Sequence, residues 1–172
     1  MGNNRGFTLI ELIVTLSIIS IIVMIAMPSF GDMLTRQKLD ASSRGFMATL
    51  SQARSQATVL RSTVAVCPNK LASDPDFNKD KCAQAAIPAY TATSPALTTT
   101  QKQDILNNRV FSVDIDSKVA VESTSDSFIL FNATGSVAAV KTFRLCASAN
   151  KRTITITRLG SVTQAKNTGV CV

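Results

Sequence analysis

The chain is 172 residues long, carries 18 Lys and Arg against 11 Asp and Glu for a net charge of +7, and contains no His. Without His the commonest general base and metal ligand are missing, so no catalytic residue, metal or other cofactor is expected. The basic excess is spread thinly, its longest run being Lys151-Arg152, and so offers polyanions only a general attraction.

Residues 7–27 read FTLIELIVTLSIISIIVMIAM, with Glu11 as their one charge. As a helix at about 1.5 Å per residue this run covers roughly 30 Å, the hydrocarbon thickness of a bilayer. It outruns the apolar core of a secretory signal peptide, usually ~7–15 residues, and no A-x-A-like cleavage site follows. A carboxylate inside such a segment is costly and marks a functional group whose partner has to be named.

Pro28 removes a helical hydrogen bond, so a kink is expected there. The helix resumes over residues 28–61, where Phe30, Leu34, Phe46, Met47, Leu50, Ala53, Ala57 and Leu60 keep a largely helical apolar spacing. Asp32–Arg36 and Asp40–Arg44 are i, i+4 pairs suited to an exposed helix face. Gly45 weakens this half by about 1 kcal/mol relative to Ala.

From residue 62 the pattern turns to alternation. A strand is expected at 63–66, leading into Cys67-Pro68. Residues 68–103 read as long surface loops, on Asp74-Pro75, Pro88 and the Thr-rich stretch YTATSPALTTTQKQ. Further strands are expected at 110–115, 119–122, 128–131, 137–140 and 142–146, with a hairpin loop over 132–135. TITITRL at 153–159 alternates with period two, and Gly160-Ser161 turns it toward a last strand. Asp114 and Asp116 read as a solvated strand face, not as a catalytic pair. The expected fold is α+β, a long N-terminal helix packed on a β-sandwich-like domain spanning 62–172.

Cys67, Cys82, Cys146 and Cys171 form no C-x-x-C pair and have no His to join them, which argues against zinc. An even number behind an export-like N-terminus favours two disulfides made outside the cytosol. Of three connectivities, Cys67–Cys82 and Cys146–Cys171 are expected because both close short loops. Each adds about 3 kcal/mol on the chain-entropy estimate.

The opening RGFTLIELIVTLSIISIIVMIAMPSF resembles the leader and N-terminal helix of type IV pilins and type II secretion pseudopilins. The resemblance implies that residues 1–6 are a leader, cut between Gly6 and Phe7 by a membrane peptidase that then methylates the Phe7 amino group. Glu11 becomes the fifth mature residue. It can pair with the Phe7 ammonium of a neighbouring subunit, setting register as subunits leave the bilayer; stranding one charge of such a buried pair costs about 3–5 kcal/mol.

ARSQA at 53–57, FNATGSV at 131–137, FRLC at 143–146 and the ending ITITRLGSVTQAKNTGVC resemble the FimT/FimU/GspH branch of minor pilins, while residues 71–108 carry no resemblance. The branch implies a helix-plus-β-sandwich fold and a low-copy subunit that primes a type IV pilus or sits at or near its tip, as FimU-like members do. Alternatives are a GspH-type pseudopilin and a FimT-type DNA-uptake pilin. The DNA-uptake members carry G-R-x-R at the C-terminal turn, where this chain reads Gly160-Ser161-Val162-Thr163. Only Arg158 and Lys166 remain as DNA contacts, so DNA is not the favoured partner. Implied partners are other major and minor pilins, the prepilin peptidase, the inner-membrane assembly platform and, before assembly, membrane lipid. The implied location is the bacterial inner membrane, single-pass with a periplasmic domain, and then the pilus surface.

Overall fold

A computed structural model describes residues 7–172, except for the side chains of residues 25–29. The chain divides into two units, Met1–Leu34 and Thr35–Val172, and helix α1 (Leu9–Leu60) contributes to both. The leader and Gly6 lie outside the described residues. So does the side chain of Pro28, on which the expected kink falls.

In the first unit α1 is apolar on every side. Leu9, Ile10, Leu12, Ile13, Leu16, Ile18, Ile19 and Ile22 are all exposed. Its few hydroxyls turn inward on their own helix: Thr15 Oγ1 donates to Leu12 O at 2.9 Å, Ser17 Oγ to Ile13 O at 2.8 Å and Ser20 Oγ to Leu16 O at 2.6 Å. Such back-bonding satisfies these three hydroxyls within the helix. Among the described residues no helix is long and apolar enough to cross a membrane. The described side chains stop at Met24, inside the apolar run.

In the second unit α1 buries Leu39, Phe46, Leu50, Ala53 and Ala57 completely, an i, i+3, i+4 row facing one way. After it come β1 (Val64–Pro68), α2 (Lys79–Ala86), α3 (Pro88–Thr91), α4 (Thr99–Asn108), β2 (Val110–Val113), β3 (Ala120–Val121), β4 (Ile129–Phe131), β5 (Lys141–Ala147), β6 (Asn150–Ile156) and β7 (Val162–Thr168). They form a mixed sheet ordered β2-β1-β4 and an antiparallel sheet ordered β3-β5-β6-β7. β1 runs parallel to β2, with Ala65 opposite Val110, and antiparallel to β4, with Val66 opposite Ile129. The α1 row packs between the sheets against Val64, Val66, Ile129 and Phe131 from one, and Phe143, Leu145, Ile154 and Ile156 from the other. The rings of Phe46 and Phe143 meet at 4.7 Å. The α+β class and the helix-on-sheets arrangement therefore stand as expected.

Residues 68–103 are loops only in part, over 69–78 and 92–98. They hold α2, α3 and the start of α4, and pack Phe77, Ala83, Ile87 and Tyr90, with Ile105 further along α4, on the outer face of β1. β1 is thus covered on both faces and buried at all five positions. Local signals make these helices. Asn78 Oδ1 accepts from Lys81 N–H at 3.0 Å, capping α2, and Pro88 takes the first turn of α3. Thr98 and Gln101 close a capping box on α4. The Cys67–Cys82 disulfide, with Cα atoms 6.1 Å apart, fastens α2 to β1. Cys146–Cys171, at 5.7 Å, fastens the C-terminal tail to β5. Both pairings match the expectation.

Four smaller expectations fail. Residues 137–140 form no strand; Val137 makes a single bridge to Phe131. Phe30, Leu34 and Leu60 are exposed, whereas Leu39, outside the expected stripe, is fully buried. Asp40 does not serve an exposed pair with Arg44, because its Oδ1 accepts from Arg152 Nε at 2.7 Å. Asp114 and Asp116 lie beyond the end of β2 rather than on a strand face; Asp114 is exposed and Asp116 partly so, and each has a side-chain partner. Asp114 Oδ1 accepts from Asn69 Nδ2 at 2.6 Å, and Asp116 pairs with Lys38 of α1 at 3.0 Å.

Candidate assembly surfaces

The first surface is the start of α1. Phe7 is 86 % exposed, and Glu11 stands exposed in the first helical turn. The Glu11 N–H donates to Thr8 Oγ1 at 3.3 Å and Leu12 N–H to Thr8 O at 3.2 Å, so Thr8 caps the helix. Thr8-Leu9-Ile10-Glu11 has the T-x-x-E spacing of a capping box, a signal present in the sequence but missed in reading it. A carboxylate in the first turn is also favoured by the helix dipole. Among the described residues Glu11 makes no ion pair. Over residues 9–24 this leaves one exposed carboxylate among exposed apolar side chains, a surface whose burial against lipid or other helices is favourable.

The second surface is the β6–β7 turn, which carries Arg158, one of the two expected DNA contacts. The turn is held by its main chain. Arg158 O accepts from Val137 N–H at 2.9 Å, and Leu159 O from Arg54 Nη2 of α1 at 2.9 Å. Gly160 adopts φ +76, and a Cβ there would sit 2.2 Å from Gly135 O. Two turns are therefore stacked in direct backbone contact under α1, with Arg54 as their clamp. Sequence reading missed Arg54; nothing in ARSQA singles it out.

Arg158 is exposed at this turn, and among the described residues its side chain has no partner. Lys166 is exposed on β7 opposite Arg152. Arg152 lies four residues back along β6 from Ile156, about 14 Å of strand, so the two expected contacts are not brought together. The hydroxyls at the motif's arginine positions are occupied internally. Ser161 Oγ lies 2.6 Å from Thr157 Oγ1, and Thr163 Oγ1 donates to Thr155 O at 3.4 Å.

The apparent basic run is also spent inside the fold. Lys151 Nζ lies 2.6 Å from Oε1 of Glu122, which is 4 % exposed. Arg152, 7 % exposed, holds Asp40. The hydrogen bond from Arg152 keeps the Asp40 carboxyl below the usual carboxylate range, helped by the charges of Arg152, Lys166 and Arg44. Among the described residues no group of three or more potential ligands is placed to hold a metal.

A family described as type II transport protein GspH matches residues 42–160, and the prokaryotic N-terminal methylation motif matches residues 1–27. The first match starts in α1, covers both sheets as far as β6 and ends at the pinned Gly160. No curated protein and no solved structure matches the chain.

Proposed function

Since the chain belongs to the GspH family of pilins and pseudopilins, we propose that it is a minor pilin of a type IV pilus, a subunit that primes assembly or sits at or near the tip. The family is structural rather than catalytic, and its members work alongside other pilin-like subunits. The observation that carries the proposal is α1: its first turns expose apolar side chains all round with Glu11 as their one charge, while its second half is built into a folded domain.

In this reading the peptidase cuts between Gly6 and Phe7 and methylates Phe7. The apolar segment is held in the inner membrane until the assembly platform extracts it. Helices then bundle, and Glu11 pairs with the Phe7 ammonium of a neighbour. A pairing of that kind fixes axial register, because a one-residue slip strands two charges in an apolar bundle.

The description of the matched family favours one second reading, a minor pseudopilin of type II secretion. A DNA-uptake role receives less support, since Arg158 and Lys166 stand apart and the hydroxyls of Ser161 and Thr163 are engaged.

The test is Glu11→Ala in the native host. Membrane insertion and cleavage are expected to persist, with a mature N-methyl-Phe7 terminus by mass spectrometry, while the variant drops out of sheared filaments. Normal incorporation of Glu11→Ala would refute the register role. Deletion of the gene separates the two readings: loss of pili supports the first, loss of secretion with intact pili the second.

A further inference from the structure

β7 is an open edge, pairing with β6 alone. Its ladder runs from Asn150 opposite Thr168 to Ile156 opposite Val162. Thr157 N–H donates to Ser161 O at 3.0 Å and Gly169 N–H to Ala149 O at 2.9 Å, which sets the phase of the ladder. Because bonded and non-bonded pairs alternate, Thr163, Ala165 and Asn167 direct their main-chain groups to β6. Val162, Gln164, Lys166 and Thr168 direct theirs outward, and among the described residues none of them is answered.

The flank beside this edge is cationic. Arg44 and Lys166 are exposed; Arg44 lies one helical turn beyond Asp40 in α1, and Lys166 stands opposite Arg152, to which the Asp40 carboxylate is already committed at 2.7 Å. Three cations thus share one acid. A cavity of about 610 Å³ opens there, lined by Asn150, Arg152, Lys166, Asn167 and Thr168. Further along, Ser51, Arg54, Ser55 and Thr58 of α1 face Gly160 and Val162 across a second cavity of about 370 Å³. Beside Arg54, which is committed to Leu159 O, the small side chains of Ser51 and Ser55 leave the strand edge accessible.

The charge decides which strand fits. Two β7 edges laid together would oppose Lys166 and Arg44 of one copy to those of the other, and a lysine on an open edge is a known guard against self-pairing. A strand bringing a carboxylate meets the opposite situation: main-chain bonds supply affinity and the cations select the partner. We propose that the β7 edge receives an extended segment of a neighbouring pilin-like subunit, one carrying an Asp or Glu that seats between Arg44 and Lys166. This rests on the minor-pilin reading and adds to it a site, a mode of contact and a partner chemistry.

The test uses the full chain in assembling cells, with photoreactive benzoylphenylalanine replacing Gln164. The expected adduct joins position 164 to an acidic, extended segment of a different pilin-like subunit. Lys166→Glu is expected to lower its yield about tenfold, the loss of one charge-assisted contact. A second variant, Gln164→Pro, removes only an outward N–H and leaves the β6 ladder whole. Its melting temperature is expected to match the wild type while incorporation falls about tenfold or more.

Adducts only to a second copy or to DNA, no adduct at all, or normal incorporation of Gln164→Pro would each overturn the proposal. If these failures occur while Glu11→Ala still blocks incorporation, the edge is wrong and the subunit reading survives. If Glu11→Ala incorporates normally, that reading loses its register device whatever the edge does.

Discussion

Replacing Gly160 by Ala tests the stacked turns under α1. At φ +76 a side chain costs about 1–2 kcal/mol. The added Cβ would also lie 2.2 Å from Gly135 O and 2.9 Å from Arg54 Nε, so the two turns have to part. Parting them breaks the bond from Val137 N–H to Arg158 O and that from Arg54 to Leu159 O, each contributing about 1 kcal/mol. The sum is about 3–4 kcal/mol, which in a domain of this size lowers the melting temperature by roughly 10–15 °C. The assay is far-ultraviolet circular dichroism of the oxidised full chain in detergent, with Gly45→Ala as its counterpart. Gly45 lies in α1 with nothing within 4 Å of its added Cβ, so Ala there stabilises by about 1 kcal/mol. If Gly160→Ala melts within a few degrees of the wild type, the backbone contact is wrong.

Two titrations check the electrostatics. Tyr90 is the sole tyrosine, and its phenol, donating to Asp80 at 2.5 Å, is pushed up to about 12. Phenolate absorbance should titrate near that value and return toward 10 in Asp80→Asn; since the folded value is raised, this contribution to stability is present below pH 10 and lost as pH climbs through 12. Asp40 is shifted the other way, so its contribution is present above the ordinary carboxylate value near pH 4 and lost as pH falls through the lower folded value. Asp40→Asn should cost about 1–2 kcal/mol at neutral pH, discounted for partial exposure, and flatten the loss of stability with acid in chemical-denaturation series.

The parts legible in the sequence obey local rules. Helical spacing at Phe46, Leu50, Ala53 and Ala57 found the buried row of α1, and alternation in TITITRL found β6. Short loop closure found both disulfides. The failures arise where long-range partners decide. Lys151-Arg152 read as surface charge because Glu122 and Asp40, distant in sequence, are brought to them only by folding. Asp40 was paired with Arg44 on helical spacing alone, yet β6 supplies the stronger, bonded partner. Residues 68–103 combine Pro with Thr-rich loops, and these obscured the Thr98-x-x-Gln101 box that starts α4. At the N-terminus the residue types gave Glu11 its prominence, but its local anchor, Thr8, was legible and passed over.

The parallel pairing of β1 with β2 has a consequence for how this domain can vary. Pro68 ends β1 beside Val113, whereas the next strand has to begin at Val110 opposite Ala65. The chain must travel back along the full strand, about 10 Å, before β2 can start, and no tight turn does that. Any sequence keeping this pairing needs a return path of a dozen residues or more. Here that path is α2, α3 and α4, packed on the outer face of the β2-β1-β4 sheet and tied to β1 by one disulfide. Its buried side chains form a cluster separate from the one that the α1 row joins. The return path is therefore where such a domain can change its outer face while the core that α1 joins stays as it is.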